Sequence, residues 1–356
     1  KPPYYYTFVV GGSYEVTALL ERDNKEFIVS NSRTRLTPVS RGEVGIAGYS
    51  FRRQITINNT SNSNNLTDFQ VLITLDTQSL ISAGKMRSDC GDIRFTDSDG
   101  QSLLNYWLES GCNTASTKVW VKVPSIPANS SKTIYVYYGN PGATSLSSAA
   151  NTFIPNSIYV MSGSCNDSTN CGYMDNHNEA NIVRTYPPTL CTKYVDRIDW
   201  GSVCDNSAFI SNVRNYFYSR FRFLFVADIS GTYTFGTDND DANEAMYSPG
   251  DRYGTYGNES SSGYSGETVI VSWYGGHAPA NNLTTYTGTF YLNAGQGIWI
   301  DDIHNEWGGG EAVRLGIQKP GGNMLIVNTT NYPNQIFARK YTSPEPTTSI
   351  GAEERL

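Results

Sequence analysis

Apolar residues in this chain recur at every second position, and that period leaves little choice of fold. Gln54-Ile-Thr-Ile, Phe69-Gln-Val-Leu-Ile-Thr-Leu, Lys118-Val-Trp-Val-Lys-Val and Thr133-Ile-Tyr-Val-Tyr-Tyr all alternate, and the same grammar returns at Tyr218-Ser-Arg-Phe-Arg-Phe, Thr268-Val-Ile-Val-Ser-Trp and Ala312-Val-Arg-Leu-Gly-Ile. Successive side chains of a strand point to opposite faces, so alternation marks strands with one buried face. A helix would place apolar residues three and four apart, and such runs are almost absent. Asp99-Gly100, Gly139-Asn-Pro and Pro320-Gly-Gly punctuate the strands with turn residues. Many short antiparallel strands close into sandwiches or barrels. The expected fold is all-β: tandem antiparallel β-sandwich domains, jelly-roll-like, behind a short N-terminal β-hairpin segment.

Composition narrows the compartment and the partners. The 25 Tyr, 14 Phe and 6 Trp offset a hydrophobic fraction of only 38%, so a core can still be built. Net charge is −7 without any Lys/Arg run, which removes the electrostatic footprint of a nucleic-acid binder. No apolar run is long enough to span a bilayer, and the chain opens at Lys1-Pro-Pro-Tyr, as a processed or truncated start would. Cys90, Cys112, Cys165, Cys171, Cys191 and Cys204 form no C-x-x-C pair and have three histidines for company, which disfavours zinc. An even count in loop-rich sequence points instead to disulfides and an oxidising compartment. The preferred pairing joins neighbours, Cys90–Cys112, Cys165–Cys171 and Cys191–Cys204, with other connectivities open.

Strand grammar lapses near residues 40–50 and 140–152, and a Pro-rich stretch opens at Ser343. The expected units are therefore residues 1–48, 49–150, 151–342 and an extended tail, 343–356. Within the second unit, Phe51-Arg-Arg-Gln-Ile-Thr-Ile, Asp92-Ile-Arg-Phe-Thr-Asp-Ser-Asp-Gly, Tyr106-Trp-Leu-Glu-Ser and Ile134-Tyr-Val-Tyr-Tyr-Gly-Asn resemble an uncharacterised β-sandwich family of prokaryotic surface proteins. That resemblance implies a location and a fold but no chemistry. Here Asp97 and Asp99 are expected to make a tight turn, and Trp107 with Glu109 a core edge and ion pair. Tyr4-Tyr-Tyr-Thr-Phe-Val-Val and Ser13-Tyr-Glu-Val resemble the C-terminal β-region of type IV pilin-like proteins, without their long apolar helix. An edge hairpin packed on the next domain explains these residues equally well.

Ile198-Asp-Trp-Gly, Ser230-Gly-Thr-Tyr-Thr-Phe, Thr237-Asp-Asn-Asp-Asp-Ala, Trp273-Tyr-Gly-Gly-His and Asn305-Glu-Trp-Gly-Gly-Gly follow one another in the third unit. They resemble the protective-antigen-type lectin-like domain, the β-sandwich also used by flocculins and epithelial adhesins. Neighbouring side chains on a strand diverge, so Asp240 and Asp241 converge on one ion only through an unusual backbone. In the lectin members that backbone is a cis Asp-Asp peptide, a form costing about 3–4 kcal/mol. The resemblance implies Ca2+ held by Asp240, Asp241 and Asn305, with open positions for sugar hydroxyls; hard oxygen donors suit that ion. Asp238 and Glu244 either join this shell or only enrich its charge. Trp273 and Trp307 are candidate ligand contacts. Residues 246–267 depart from the family as a Tyr/Gly/Ser mixture in which Tyr253 and Tyr256 resemble recognition-loop aromatics.

Asp301, Asp302, Glu306 and Glu311 offer carboxylates for a glycosidase, but no catalytic motif frames them, and the chain is not expected to be an enzyme. The expected function is that of an extracellular, cell-surface adhesin binding a glycan on a host or neighbouring cell through Ca2+. A pilus-like filament of identical subunits is a further expectation. The alternative is a structural filament or surface-layer subunit without glycan binding.

Overall fold

A computed structural model describes residues 45–164, 174–206, 215–248, 250–251 and 267–356, together with the backbone of three N-terminal strands. Those strands, β1 (Val16–Leu20), β2 (Lys25–Val29) and β3 (Pro38–Ser40), pair antiparallel in sequence order. Cys165, Cys171, Tyr253 and Tyr256 lie outside the described residues, so the third expected disulfide and the loop aromatics do too.

The first sandwich sets β4 (Phe51–Asn58), β6 (Arg94–Thr96), β7 (Leu103–Leu104) and β10 (Ser131–Tyr138) against β5 (Leu66–Leu75), β8 (Tyr106–Ser110) and β9 (Thr117–Ile126). Helix α1 (Thr77–Ser82) follows β5 and is capped by Asp76, whose carboxylate accepts the Ser79 amide. The alternating residues fill the core as expected: Ile55, Ile57, Ile73, Val119, Val121, Ile134 and Val136 are buried together. Asp99 accepts from the Gln101 and Ser102 amides, a turn closed on itself.

Thr347–Arg355 forms β24, which pairs antiparallel with β4 and completes the first sandwich at its edge. The second sandwich is thus an insertion between β10 and β24.

That insertion opens with α2 (Ala149–Thr152). One of its sheets contains β11 (Ile154–Pro155), β12 (Ile158–Ser164), β13 (Cys191–Val195), β15 (Phe217–Val226), β17 (Ala242–Ser248), β18 (Thr268–Trp273), β20 (Gly297–Glu306) and β23 (Ile336–Ala338). The facing sheet holds β14 (Asp199–Trp200), β16 (Gly231–Asn239), β19 (Tyr286–Leu292), β21 (Val313–Gln318) and β22 (Met324–Ile326). Phe221, Phe223, Phe225, Tyr233, Phe235, Ile298, Ile300, Leu315 and Ile317 form the core between them. The Cys191–Cys204 disulfide staples one open side, and Cys90–Cys112 forms in the first sandwich. On the other side β19 runs so close to β18 that a Cβ on Gly288 would lie 1.6 Å from the Ile270 carbonyl oxygen.

Strand β20 is buried on both faces, unlike a half-exposed sandwich strand. Its inward face carries Ile298, Ile300, Asp302, His304 and Glu306. Its outward face is covered by two partners. Helix α3 (His177–Arg184) packs Ala180 and Val183 against Ile303. Trp299 joins Trp107, Trp120 and Phe153 in an aromatic cluster shared by the two sandwiches. Gly297 is required there, since a Cβ would meet the Trp107 ring at 2.7 Å. The Glu109 carboxylate accepts from the Trp120 indole at 2.7 Å, the Trp299 indole at 3.2 Å and the Gly250 amide at 2.7 Å, with the Lys118 charge also acting on it.

Candidate metal centre

Asp240 and Asp241 form the turn between β16 and β17. The peptide joining them is trans; among the described residues the one cis bond is Ser343–Pro344. Convergence comes instead from Asp241 at φ 53°, a left-handed conformation that Asp tolerates better than most residues. The turn is pinned throughout. The Asp240 amide donates to Ala312 O at 2.8 Å, and the Asp241 amide to His277 O at 2.8 Å. His304 Nε2 lies 2.9 Å from the Asp240 carbonyl oxygen, and Asn239 donates to that of Asp241 at 2.6 Å. Asp241 Oδ2 accepts the Trp307 and Gly308 amides at 2.5 and 3.1 Å, which ties the turn to the loop after β20.

One carboxylate oxygen from each of Asp240, Asp241 and Glu306 falls within 4.8 Å of the others, and all three residues are buried. Glu306 was absent from the expected ligand set. It is wholly buried, and neither of its oxygens makes a hydrogen bond of good geometry: the Gly308 amide near it donates to Asp241, and His304 Nε2 is 3.8 Å away. Burial, then the charges of Asp241, Asp240 and Glu311, push its carboxyl up to about 10. Burial and Asp241 push Asp240 to about 6. Carboxylates packed this closely repel one another in their charged forms, and a cation among them would offset that repulsion. The donors are all oxygen, the set that hard divalent ions take.

Asn305 belongs to the opposite face of β20 from Glu306 and lines a small cavity with Asp241, Met174, Gly275, Gly276 and Trp307. Asp238 and Glu244 are engaged elsewhere. Asp238 accepts the Asn281 amide at 3.1 Å and lies 3.5 Å from Arg314, while Glu244 pairs with Arg184 at 2.8 Å.

Trp273 is half-buried at the end of β18. Its ring stacks on His277 at 3.4 Å and on Tyr286 at 4.1 Å, both near parallel. Two rings at those distances cannot share one face, so both faces of the indole are covered. Trp307 sets its ring edge-on to Tyr216 at 6.1 Å beside the Asp241 loop, with exposed Gly308 and Gly309 following. The described roots of the Tyr-rich segment, Asp251 and Glu267, lie beyond the Tyr247–Thr268 pair, at the end of the β17–β18 hairpin remote from Asp241.

The acids weighed as catalytic are placed for other work. Asp301 is enclosed by Arg184 Nε at 2.9 Å, Arg220 at 2.7 Å and Arg222 at 3.3 Å. Burial alone would raise its carboxyl, but Arg220, Arg184 and Arg222 hold it at about 2. Asp302 faces the core, bonded to Asn243 Nδ2 at 2.8 Å, and burial lifts it to about 7.

A family described as a domain of unknown function (DUF2341) matches residues 89–156. No curated protein matches the chain. Among solved structures the chain is similar to a PA14 sugar-binding domain from an RTX adhesin, at 12% identity and TM-score 0.37 over 52% of this chain and 99% of that one. It is similar to the PA14 domain of the MpAFP antifreeze protein, at 11% identity and TM-score 0.37 over 55% and 97%. The epithelial adhesin 9 A domain from Candida glabrata, in complex with Galb1-3GlcNAc, is similar at 9% identity and TM-score 0.36 over 52% and 91%.

Proposed function

We propose that the Asp240–Asp241 end of the second sandwich binds calcium and, through it, a saccharide, as the adhesive part of an exported surface protein. The observation that carries the cation is Glu306: a buried carboxylate without a hydrogen bond of good geometry, close to two further carboxylates. Asp240, Asp241 and Glu306 would hold the ion, with Asn305 approaching beside Asp241. Calcium would supply open coordination positions for vicinal hydroxyls. The protein's own part is to fix the Asp-Asp turn by backbone bonds, so that few groups need ordering when the ion arrives. The sugar is supported by the resemblance of Asp240-Asp241 and Asn305-Glu-Trp-Gly to the lectin-like domain. Two disulfides support an oxidising, extracellular setting, and no described helix is long and apolar enough to cross a membrane.

The test is thermal unfolding in calcium and in EDTA, paired with a glycan array under both conditions. Calcium at a hundredfold excess over its Kd should stabilise the wild type by about 2.7 kcal/mol, and Asp240→Asn with Asp241→Asn should abolish this. An unchanged calcium response in the double variant sinks the site. Stabilisation without glycan binding would favour the filament or surface-layer reading, with the ion serving only to tie the turn to the loop after β20.

A further inference from the structure

His177 opens α3 with a carboxylate against each ring nitrogen. Nδ1 lies 3.0 Å from Glu244 Oε2, and Nε2 lies 3.0 Å from Glu267 Oε1. Only the imidazolium donates from both nitrogens at once. A third neighbour decides what the neutral ring does. Asn181 Nδ2 sits 3.1 Å from Nε2, so the neutral ring can keep its proton on Nδ1 for Glu244 and accept from Asn181 at Nε2. The bond from His177 to Glu267 is then lost.

Glu267 immediately precedes β18, which pairs with β17 at the end of its sheet among the described residues. The other end of β18 leads into residues 274–277, which reach the cation site. The Tyr274 hydroxyl donates to Glu244, the Gly275 amide donates to Met174 O at 3.1 Å just before α3, and His277 O accepts the Asp241 amide at 2.8 Å. We propose that His177 is a positioning residue: as an imidazolium it clasps β18 to α3, steadying the 274–277 loop that holds Asp241. This rests on the cation-site reading.

The charged groups around the ring are consistent with that role. Glu244 faces it from β17 and Glu267 from the start of β18; the Tyr274 hydroxyl and the Arg184 guanidinium share Glu244. Arg184 is itself balanced by Asp301 of β20. On α3, Glu179 accepts the Asp175 amide at 2.6 Å and caps the helix rather than facing the ring. A helix N-terminus opposes a cation. The bond to Glu244 nevertheless raises the His177 pKa, against burial and with Glu267 adding to the rise. The clasp is therefore fully closed below the ordinary histidine value of 6.5 and opens as pH climbs through the raised one.

The experiment compares wild type, His177→Gln and His177→Arg at about pH 6 and about pH 8.5. Amide exchange of residues 267–277 is read in metal-free protein, and calcium affinity by calorimetry. Once intrinsic exchange rates are divided out, the wild type should protect these amides more at the lower pH. His177→Gln should show no such difference, and His177→Arg, charged throughout, should protect them at both. The wild type should bind calcium about fivefold more tightly than His177→Gln at the lower pH and equally at the higher. That ratio cancels proton competition at the ligand carboxylates, which the two proteins share. Exchange that ignores pH in the wild type overturns the clasp, and an affinity ratio of one at both pH values overturns its positioning role. Absence of calcium binding from all three proteins overturns the cation site, and the exchange comparison then decides the clasp by itself.

Discussion

Glu306 stores most of the electrostatic tension at the centre. In the unfolded chain its carboxyl loses its proton near 4.5, whereas in the fold it keeps it to about 10. Between those values the folded state binds a proton that the unfolded state does not, so metal-free stability falls as pH rises across that window. Glu306→Gln keeps the neutral form at every pH. Calorimetry in EDTA at about pH 8 should place the variant above the wild type, by about 2–4 °C for each kcal/mol of relief. In calcium the order should invert, because the variant has lost a ligand. A variant that follows the wild type in both media would show that Glu306 bears no tension. Its place was legible in part: Ile298 and Ile300 set the inward parity of β20, and counting on by twos reaches Asp302, His304 and Glu306. The backbone at Asp240–Asp241 was not, because the same dipeptide serves a cis turn or a trans turn with one left-handed residue. The stacking of Trp273 between His277 and Tyr286 was not legible either, since nothing in a sequence tells which neighbours will cover a ring.

Elements with one buried face were easy to find, and those with little buried surface were not. Alternation located β4, β5, β9 and β10 because half of each strand must be apolar. Strand β24 offers Ile350 amid Thr, Ser, Gly, Ala and Glu, and its residues are exposed or half-buried along its length. An edge strand held by backbone pairing carries almost no hydrophobic signature. Its tethers are polar: Glu354 meets Arg52 at 2.7 Å, and Glu353 meets Lys85 at 2.5 Å and the Tyr138 hydroxyl at 2.8 Å. A chain ending before residue 347 should expose the β4 edge, aggregate more readily and unfold at lower temperature. A synthetic peptide of residues 347–356 should reverse both effects in trans. Unaltered melting of the shortened chain would show that β24 is dispensable.

At the scale of the whole molecule, the two sandwiches meet at an aromatic joint. Glu109 brings a buried carboxylate from β8 to indoles of both sandwiches and to the Gly250 amide, and burial raises its pKa even though Trp120 and its other partners oppose the shift. Around it Trp120 and Trp299 lie 5.4 Å apart, with Phe153 edge-on to both. Glu109→Ala would leave three donors without their acceptor, each costing about 1–3 kcal/mol if it stays dry. Scanning calorimetry should show one transition for the wild type and two for the variant; a single transition in both would mean the apolar cluster suffices to couple the halves. The sequence concealed the insertion, because the return to β4 is made by its least patterned strand.

That insertion bears on how force would pass through the molecule. Nine residue steps of β20 separate Gly297 at the joint from Glu306 at the carboxylate cluster, about 30 Å at strand rise. A tug on anything held at the far end reaches the first sandwich along two covalent crossings, one leaving β10 and one entering β24. The outer sandwich is therefore seated in a yoke, braced against swivelling where a single tether would let it spin, and the load is shared between two anchors.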